Sequence, residues 1–115
     1  DALARRPLTD CTFTHCDFGH LTGAQLTHCI FKGCGFHGAD LSNVSLSDCT
    51  FEACDLSGVT MTGSTLSFVS FDAETVLTGI NLQYSSLNDI DLSGLEVSGC
   101  DFSETTWTRV DVTDT

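Results

Sequence analysis

The chain has 115 residues, 16 acidic against 4 basic, a formal net charge of −12 at pH 7, and 7 cysteines. That length suits one small domain, and that charge opposes direct binding to nucleic acid or to an anionic membrane, polyanions that Lys and Arg must meet. A composition 41% apolar and 17% charged excludes disorder, and no apolar run approaches the ~18 residues of a membrane-spanning helix.

Residues 1–8 lie outside any pattern. Ala2–Pro7 reads ALARRP, and 1–8 is expected to be an N-terminal cap or leader ahead of a regular domain over 9–115. Beyond it the sequence repeats itself: 10–18 is DCTFTHCDF, 28–36 is HCIFKGCGF and 48–56 is DCTFEACDL. Beneath this lies a period of five. It begins at Phe13 and Phe18, loses two residues, then runs Leu21, Leu26, Phe31, Phe36, Leu41, Leu46, Phe51, Leu56, Met61, Leu66, Phe71. After one extra residue it resumes at Leu77, Leu82, Leu87, Leu92, Val97, Phe102, Trp107 and Val112. Each of these residues is the centre of a pentapeptide. Two places before each centre sits a smaller residue, among them Ala24, Cys29, Cys34, Ala39, Val44, Cys49, Cys54, Val59, Ser64 and Cys100.

A period of five matches neither the 3.6 of a helix nor the 2.0 of a long strand. The chain must turn a corner at every repeat, and four sides close a coil of about 20 residues that stacks on the next as a parallel ladder. Taking every fourth centre sorts like with like. One side collects Phe13, Phe31, Phe51, Phe71, Leu92 and Val112, and the next Phe18, Phe36, Leu56, Leu77 and Val97. A third collects Leu21, Leu41, Met61, Leu82 and Phe102, and the fourth Leu26, Leu46, Leu66, Leu87 and Trp107. The shortened step at 18–21 and the long one at 72–76 predict local bulges or loops, not a change of fold.

All the cysteines (11, 16, 29, 34, 49, 54, 100) take the small inward position. The C-x4-C pairs look like metal ligands, but each pair falls on adjacent walls of a core full of Phe, where zinc's four converging ligands are not supplied. Free Cys is a small, readily buried hydrophobe, so thiols and a reducing, cytoplasmic setting are expected. The core is accordingly expected to hold Phe13, Phe31, Phe51, Phe71, Leu41, Leu46, Leu66, Leu82, Leu87, Cys29, Cys34, Cys49 and Cys54. His15, His20, His28 and His37 fall mainly at outward positions without metal-ligand spacing. Nothing arranges a nucleophile, base and orienter, so neither a catalytic residue nor a cofactor or metal is expected. Gly23, Gly33, Gly38, Gly58, Gly63, Gly79, Gly94 and Gly99 fall at pentapeptide ends, where a corner wants permissive dihedrals. Phe68 and Tyr84 stand where the repeat prefers small polar residues, and either packs a loop near 72–76 or marks a partner contact.

At the C-terminal end the repeat runs on to Trp107, Val110 and Val112. These form a candidate end-to-end interface, expected to be covered by a second copy in a homodimer or by a further domain of a longer chain.

Ala39-Asp40-Leu41-Ser42-Asn43, Cys54-Asp55-Leu56-Ser57-Gly58, Ile90-Asp91-Leu92-Ser93-Gly94 and Cys100-Asp101-Phe102-Ser103-Glu104 carry a further signature. With these quintets the chain resembles the pentapeptide-repeat family over about residues 9–114. The resemblance implies an all-β fold, a right-handed quadrilateral parallel β-helix of about five coils. It also implies a non-enzymatic protein-interaction or scaffold module, of the kind some bacterial effector proteins carry beside a separate catalytic domain. In such an effector the chain would be delivered rather than resident in the cytoplasm. The alternative the resemblance raises is an acidic, dimeric DNA mimic of the quinolone-resistance type, binding DNA gyrase or topoisomerase IV.

The acids weigh against that alternative. Asp17, Asp40, Asp55, Asp91, Glu96, Asp101 and Asp111 stand immediately before a centre, where a short polar side chain bonds nearby backbone at a corner. The rest form no long column; one runs His28, Asp48, Phe68, Asp89, Arg109. The nearest thing to a cluster is Glu52, Asp72 and Glu74, the candidate surface for a protein partner whose identity the sequence does not give.

Overall fold

The computed structural model describes residues 7–112. Among them there is no helix. Ten short strands appear: β1 (Pro7–Thr9), β2 (Thr12–Thr14), β3 (Gln25–Thr27), β4 (Ile30–Lys32), β5 (Ser45–Ser47), β6 (Thr50–Glu52), β7 (Thr65–Ser67), β8 (Ser70–Phe71), β9 (Ser86–Asp91) and β10 (Thr106–Asp111). Two walls are parallel sheets, β1-β3-β5-β7-β9-β10 and β2-β4-β6-β8. The other two are columns of parallel bridges, one through Asp17, Gly35, Asp55 and Val76, the other through His20, Asp40, Thr60, Asn81 and Asp101. The chain visits the four walls in turn, so the molecule is a four-sided parallel β-solenoid of about five coils. Coils 1 to 5 begin with β1, β3, β5, β7 and β9.

The register is that of the every-fourth-centre columns. Phe13 pairs with Phe31, Phe31 with Phe51 and Phe51 with Phe71. On the β1 wall Leu26 stacks on Leu46, Leu66, Leu87 and Trp107 in succession. The ladder starts earlier than the sequence division at residue 8, because Pro7–Thr9 pairs with Gln25–Thr27 and sets Leu8 over Leu26. Leu8 lies one period before Phe13, and a proline is tolerated as the first residue of an edge strand because its missing N–H is not needed there. The remainder of the expected cap, residues 1–6, lies outside the described residues.

Parallel rungs ~4.8 Å apart put identical side chains directly over one another. The Phe13/Phe31/Phe51/Phe71 rings therefore stack with centroids 4.9 to 5.4 Å apart, and Phe18 stacks on Phe36 at 4.9 Å. The two columns meet edge to face, as Phe31 and Phe36 do at 5.4 Å. Both geometries suit the ring quadrupole. Phe31, Phe51, Leu41, Leu46, Leu66, Leu82, Leu87, Cys29, Cys34, Cys49 and Cys54 are buried, while Phe13 and Phe71 are half-buried.

The cysteines are all free thiols. Cys34, Cys49, Cys54 and Cys100 each donate S–H to the carbonyl of a centre one coil earlier: Phe13, Leu26, Phe31 and Leu77, at 2.9 to 3.4 Å. Ser64, Thr75 and Ser85 occupy the same inward position and donate to Leu41, Phe51 and Met61 at 2.8 to 3.3 Å. The small inward residue thus fills space and satisfies a buried carbonyl. Burial raises the pKa of Cys29, Cys34, Cys54 and Cys100 and pushes that of Cys49 up to about 11. A thiol so raised is almost wholly protonated at neutral pH and is a poor nucleophile or metal ligand.

Every positive φ among the described residues, from 52° to 75°, lies two places after a centre. The eight corner glycines of the sequence pattern are all there. So are Asp10, His15, His28, Asn43, Asp48, Ala53, Phe68, Tyr84, Asp89, Glu104 and Arg109.

Candidate interaction surface

With the interior filled, chemistry is confined to the outer walls and the two ends. The β1 wall is the most uniform. Its outward strand positions are Thr9, Gln25, Thr27, Ser45, Ser47, Thr65, Ser67, Ser86, Asn88, Thr106 and Thr108, with Pro7 at the start, and none carries a charge. One edge of this wall is the corner line Asp10, His28, Asp48, Phe68, Asp89, Arg109; the other is Gly23, Asn43, Gly63, Tyr84, Glu104. His28 Nε2 lies 4.0 Å from Asp48, and Arg109 grips Asp89 with two N–H donors, Nη2 at 2.9 Å. Phe68 and Tyr84 therefore stand at opposite edges of one neutral wall, 57% and 65% exposed. Neither packs down as loop filling.

The acids before the centres serve the corners. Asp40, Asp55, Asp91 and Asp101 accept the backbone N–H of Ser42, Ser57, Ser93 and Ser103 at 2.9 to 3.0 Å and the same serine's hydroxyl. Asn81 accepts the Gln83 N–H in the same way at 3.0 Å. The serine hydroxyl and N–H hold the carboxyls of Asp40, Asp55 and Asp101 below the usual carboxylate value.

Of the three acids grouped by sequence, Glu52 ends β6 half-buried and Glu74 is exposed on the turn that absorbs the extra residue. Asp72 is committed to backbone. Its carboxylate accepts the Ala53 N–H at 3.0 and 3.2 Å, the Glu74 N–H at 3.2 Å and the Thr75 hydroxyl at 2.9 Å. The Ala53 N–H above all lowers its pKa. Glu74 instead shares the rim of a surface cleft with Glu96, a pairing that sequence order, with 21 residues between them, did not signal.

The histidines stay on the surface. His37 Nδ1 and Ser57 Oγ share a hydrogen bond at 2.8 Å, and no group of His, Cys, Asp and Glu suited to a metal ion occurs among the described residues. At the C-terminal end, Trp107 is 41% exposed and meets the Phe102 ring edge-on at 5.4 Å. Val110 is half-buried against the core and Val112 is exposed.

A family model described as pentapeptide repeat region matches residues 6–73 and 24–107. In fold the chain is similar to a pentapeptide repeat protein, Rfr23, from the cyanobacterium Cyanothece, with a TM-score of 0.82 at 16% identity, over 90% of this chain and 85% of that one. A trypsin-treated form of QnrB1, a plasmid-mediated fluoroquinolone resistance protein, aligns with a TM-score of 0.43 at 21% identity, over 89% of this chain and 63% of that one. HetL, a pentapeptide repeat protein involved in heterocyst differentiation regulation in the cyanobacterium Nostoc, aligns with a TM-score of 0.32 at 13% identity, over 83% and 56%. No curated protein matches the chain in sequence.

Proposed function

The chain belongs to the pentapeptide-repeat family, and on that premise we propose that it is a non-enzymatic interaction module whose rigid outer walls hold a protein partner. The observation that carries this reading is the neutral β1 wall of an otherwise acidic molecule, edged by the exposed rings of Phe68 and Tyr84. An aromatic held outward on a left-handed corner gains nothing from the core, and exposed aromatics on a polar face are the residues that anchor protein interfaces. A wall without carboxylates is also the one a partner covers without desolvating charge.

Imitation of DNA asks for unbroken rows of carboxylates. The acids here are divided among the other three walls and the corners, and Asp40, Asp55, Asp91 and Asp101 are turned to the serine two places on, which supports the interaction reading over mimicry.

The test places a photo-crosslinking amino acid at Thr50, Thr78, Thr62 or Thr65, one on each wall, in the source cells. The expected result is a discrete adduct from Thr65 whose partner, once identified and purified, forms a one-to-one complex tighter than about 10 μM. No adduct from any wall overturns the reading. Inhibition of gyrase supercoiling by the purified chain at micromolar concentration replaces it with the mimic.

A further inference from the structure

Beside the turn at 72–75 the solenoid wall is open, forming a cleft of about 260 Å³ between coils 4 and 5. The sheet through β2 ends at β8, and the neighbouring bridge column ends at Val76, while the other two walls continue to Asp101 and β10. One coil earlier the Val76 N–H reaches Cys54 O and the Leu56 N–H reaches Val76 O, each at 2.9 Å. The corresponding bonds one coil on, Glu96 N–H to Thr75 O and Leu77 N–H to Glu96 O, are not made. The ladder resumes where the Gly79 N–H meets Ser98 O at 3.0 Å.

The inward residues change at the same level. Coil 3 carries Cys49 and Cys54 at the small positions of these two walls, whereas coil 5 carries Ile90 and Leu95, both buried. The opening lies against the coil that holds the extra residue; Ile80, an aliphatic residue at the same inward position of another wall, leaves its ladder intact, with the Asp101 N–H on Ile80 O at 2.9 Å. An interior void of about 20 Å³ lies at the same level, lined by Leu77, Ile90 and Leu92 among others.

Three features meet in the cleft. Glu74 and Glu96 are exposed carboxylates on its lining; Glu96 accepts the Ser98 hydroxyl through Oε2 at 2.8 Å and keeps Oε1 for a further donor. Val76, 42% exposed, is the aliphatic side chain that reaches the surface there, while Leu77 and Leu95 on the same lining are buried. The carbonyls of Thr75 and Glu96 have lost the ladder donors their equivalents keep in the coil before, and such backbone acceptors call for a donor from outside. We propose that this cleft receives an arginine side chain of a protein partner. The methylenes lie along Val76, and the guanidinium donates to the two carboxylates and the open carbonyls. Arginine suits the site better than lysine because its planar fork offers five donors to acceptors in different directions, on a stem that tolerates apolar contact. The proposal rests on the interaction reading above and names one contact within it.

The test is a titration of the ¹⁵N-labelled chain at about 50 mM salt with three capped peptides, acetyl-Gly-Arg-Gly-amide and its lysine and citrulline counterparts. The expected result is amide shifts confined to residues 73–78 and 94–96, strongest with arginine and absent with citrulline. E74Q/E96Q should weaken arginine binding by about fivefold or more and leave the remaining amide signals in place. V76S, which keeps both carboxylates, should weaken it too. Shifts spread evenly over distant acids such as Asp17 and Asp101, or equal affinity in all variants, overturn the proposal. The two readings fail separately: a crosslinked partner that binds E74Q/E96Q as tightly as the parent chain removes the arginine site and leaves the module intact. Arginine binding confined to the cleft, with no adduct from any wall, does the reverse.

Discussion

A left-handed backbone costs an L residue other than glycine about 1–2 kcal/mol, and the pentapeptide asks for one at nearly every corner. Asn43, Asp10, Asp48 and Asp89 bear this better than most, since Asn and Asp tolerate that region. Ala53, with φ 52°, Phe68 and Tyr84 have no such excuse. A Cβ added at Gly58 would meet only ordinary contacts, the nearest being the Gly38 backbone nitrogen at 3.8 Å, so the cost of Gly58→Ala is conformational. We expect Gly58→Ala to destabilise by about 1 kcal/mol and Ala53→Gly to stabilise by about 0.5 kcal/mol, after the flexibility glycine adds to the unfolded chain is subtracted. Urea unfolding monitored by circular dichroism reads both, and equal effects of the same sign would contradict the corner assignment. The glycine corners were legible in the sequence because glycine announces its torsion. Ala53, Phe68 and His28 occupy the same corner silently, because nothing in their side chains reports φ.

Among the elements, the turn that absorbs the extra residue is held by the Asp72 side chain. In the coils before it the corner N–H finds a backbone carbonyl one coil on, as Gly33 finds Glu52 O at 2.8 Å. At Ala53 that place is taken by the Asp72 carboxylate, which also closes the turn through Glu74 and Thr75. Asp72→Ala leaves these donors without their acceptor and should cost about 1–2 kcal/mol, with Asp72→Asn recovering roughly half because its amide oxygen still accepts. Native-state hydrogen exchange at Ala53 and Glu74 locates the loss; unchanged protection in Asp72→Ala would show that the turn holds without it. The sequence predicted a local irregularity at 72–76 and grouped Asp72 with Glu52 and Glu74 by proximity. It could not show that Asp72 turns to the coil before it, because that contact spans 19 residues of chain and depends on how the coils stack.

Across the whole molecule the charge of −12 acts in two opposed ways as pH falls. Asp40, Asp55, Asp72 and Asp101 have pKa values below the ordinary one in the folded state, so the folded chain takes up protons less readily than the unfolded chain. Their contribution to stability is complete above the unfolded carboxylate range, about 4, and is lost as pH drops through the folded values. Protonation also relieves the self-repulsion of an acidic molecule, which works the other way at low salt. In about 0.5 M NaCl, where that repulsion is screened, the urea midpoint should stay flat from neutral pH to about pH 5 and fall below about pH 4. Asp55→Asn should make the fall shallower. A midpoint that rises into acid at high salt would show that these aspartates are not stabilised in the fold.

The sequence by itself determined the five-residue step, the four walls, the pairing of Phe over Phe and Leu over Leu, and the inward place of every cysteine. These follow from a short local repeat, because a chain that turns at fixed intervals and stacks in register puts equivalent residues on the same wall. Only the tertiary structure decided that Leu8 already belongs to the ladder, that Phe68 and Tyr84 edge the same neutral wall, and that Glu74 faces the same opening as Glu96. Each of these depends on the fit between coils about 20 residues apart in the chain. The opening itself lies between coils 4 and 5 beside the turn that absorbs the extra residue, where the ladder bonds of the coil before are not repeated, a difference that exists only once one coil lies on another.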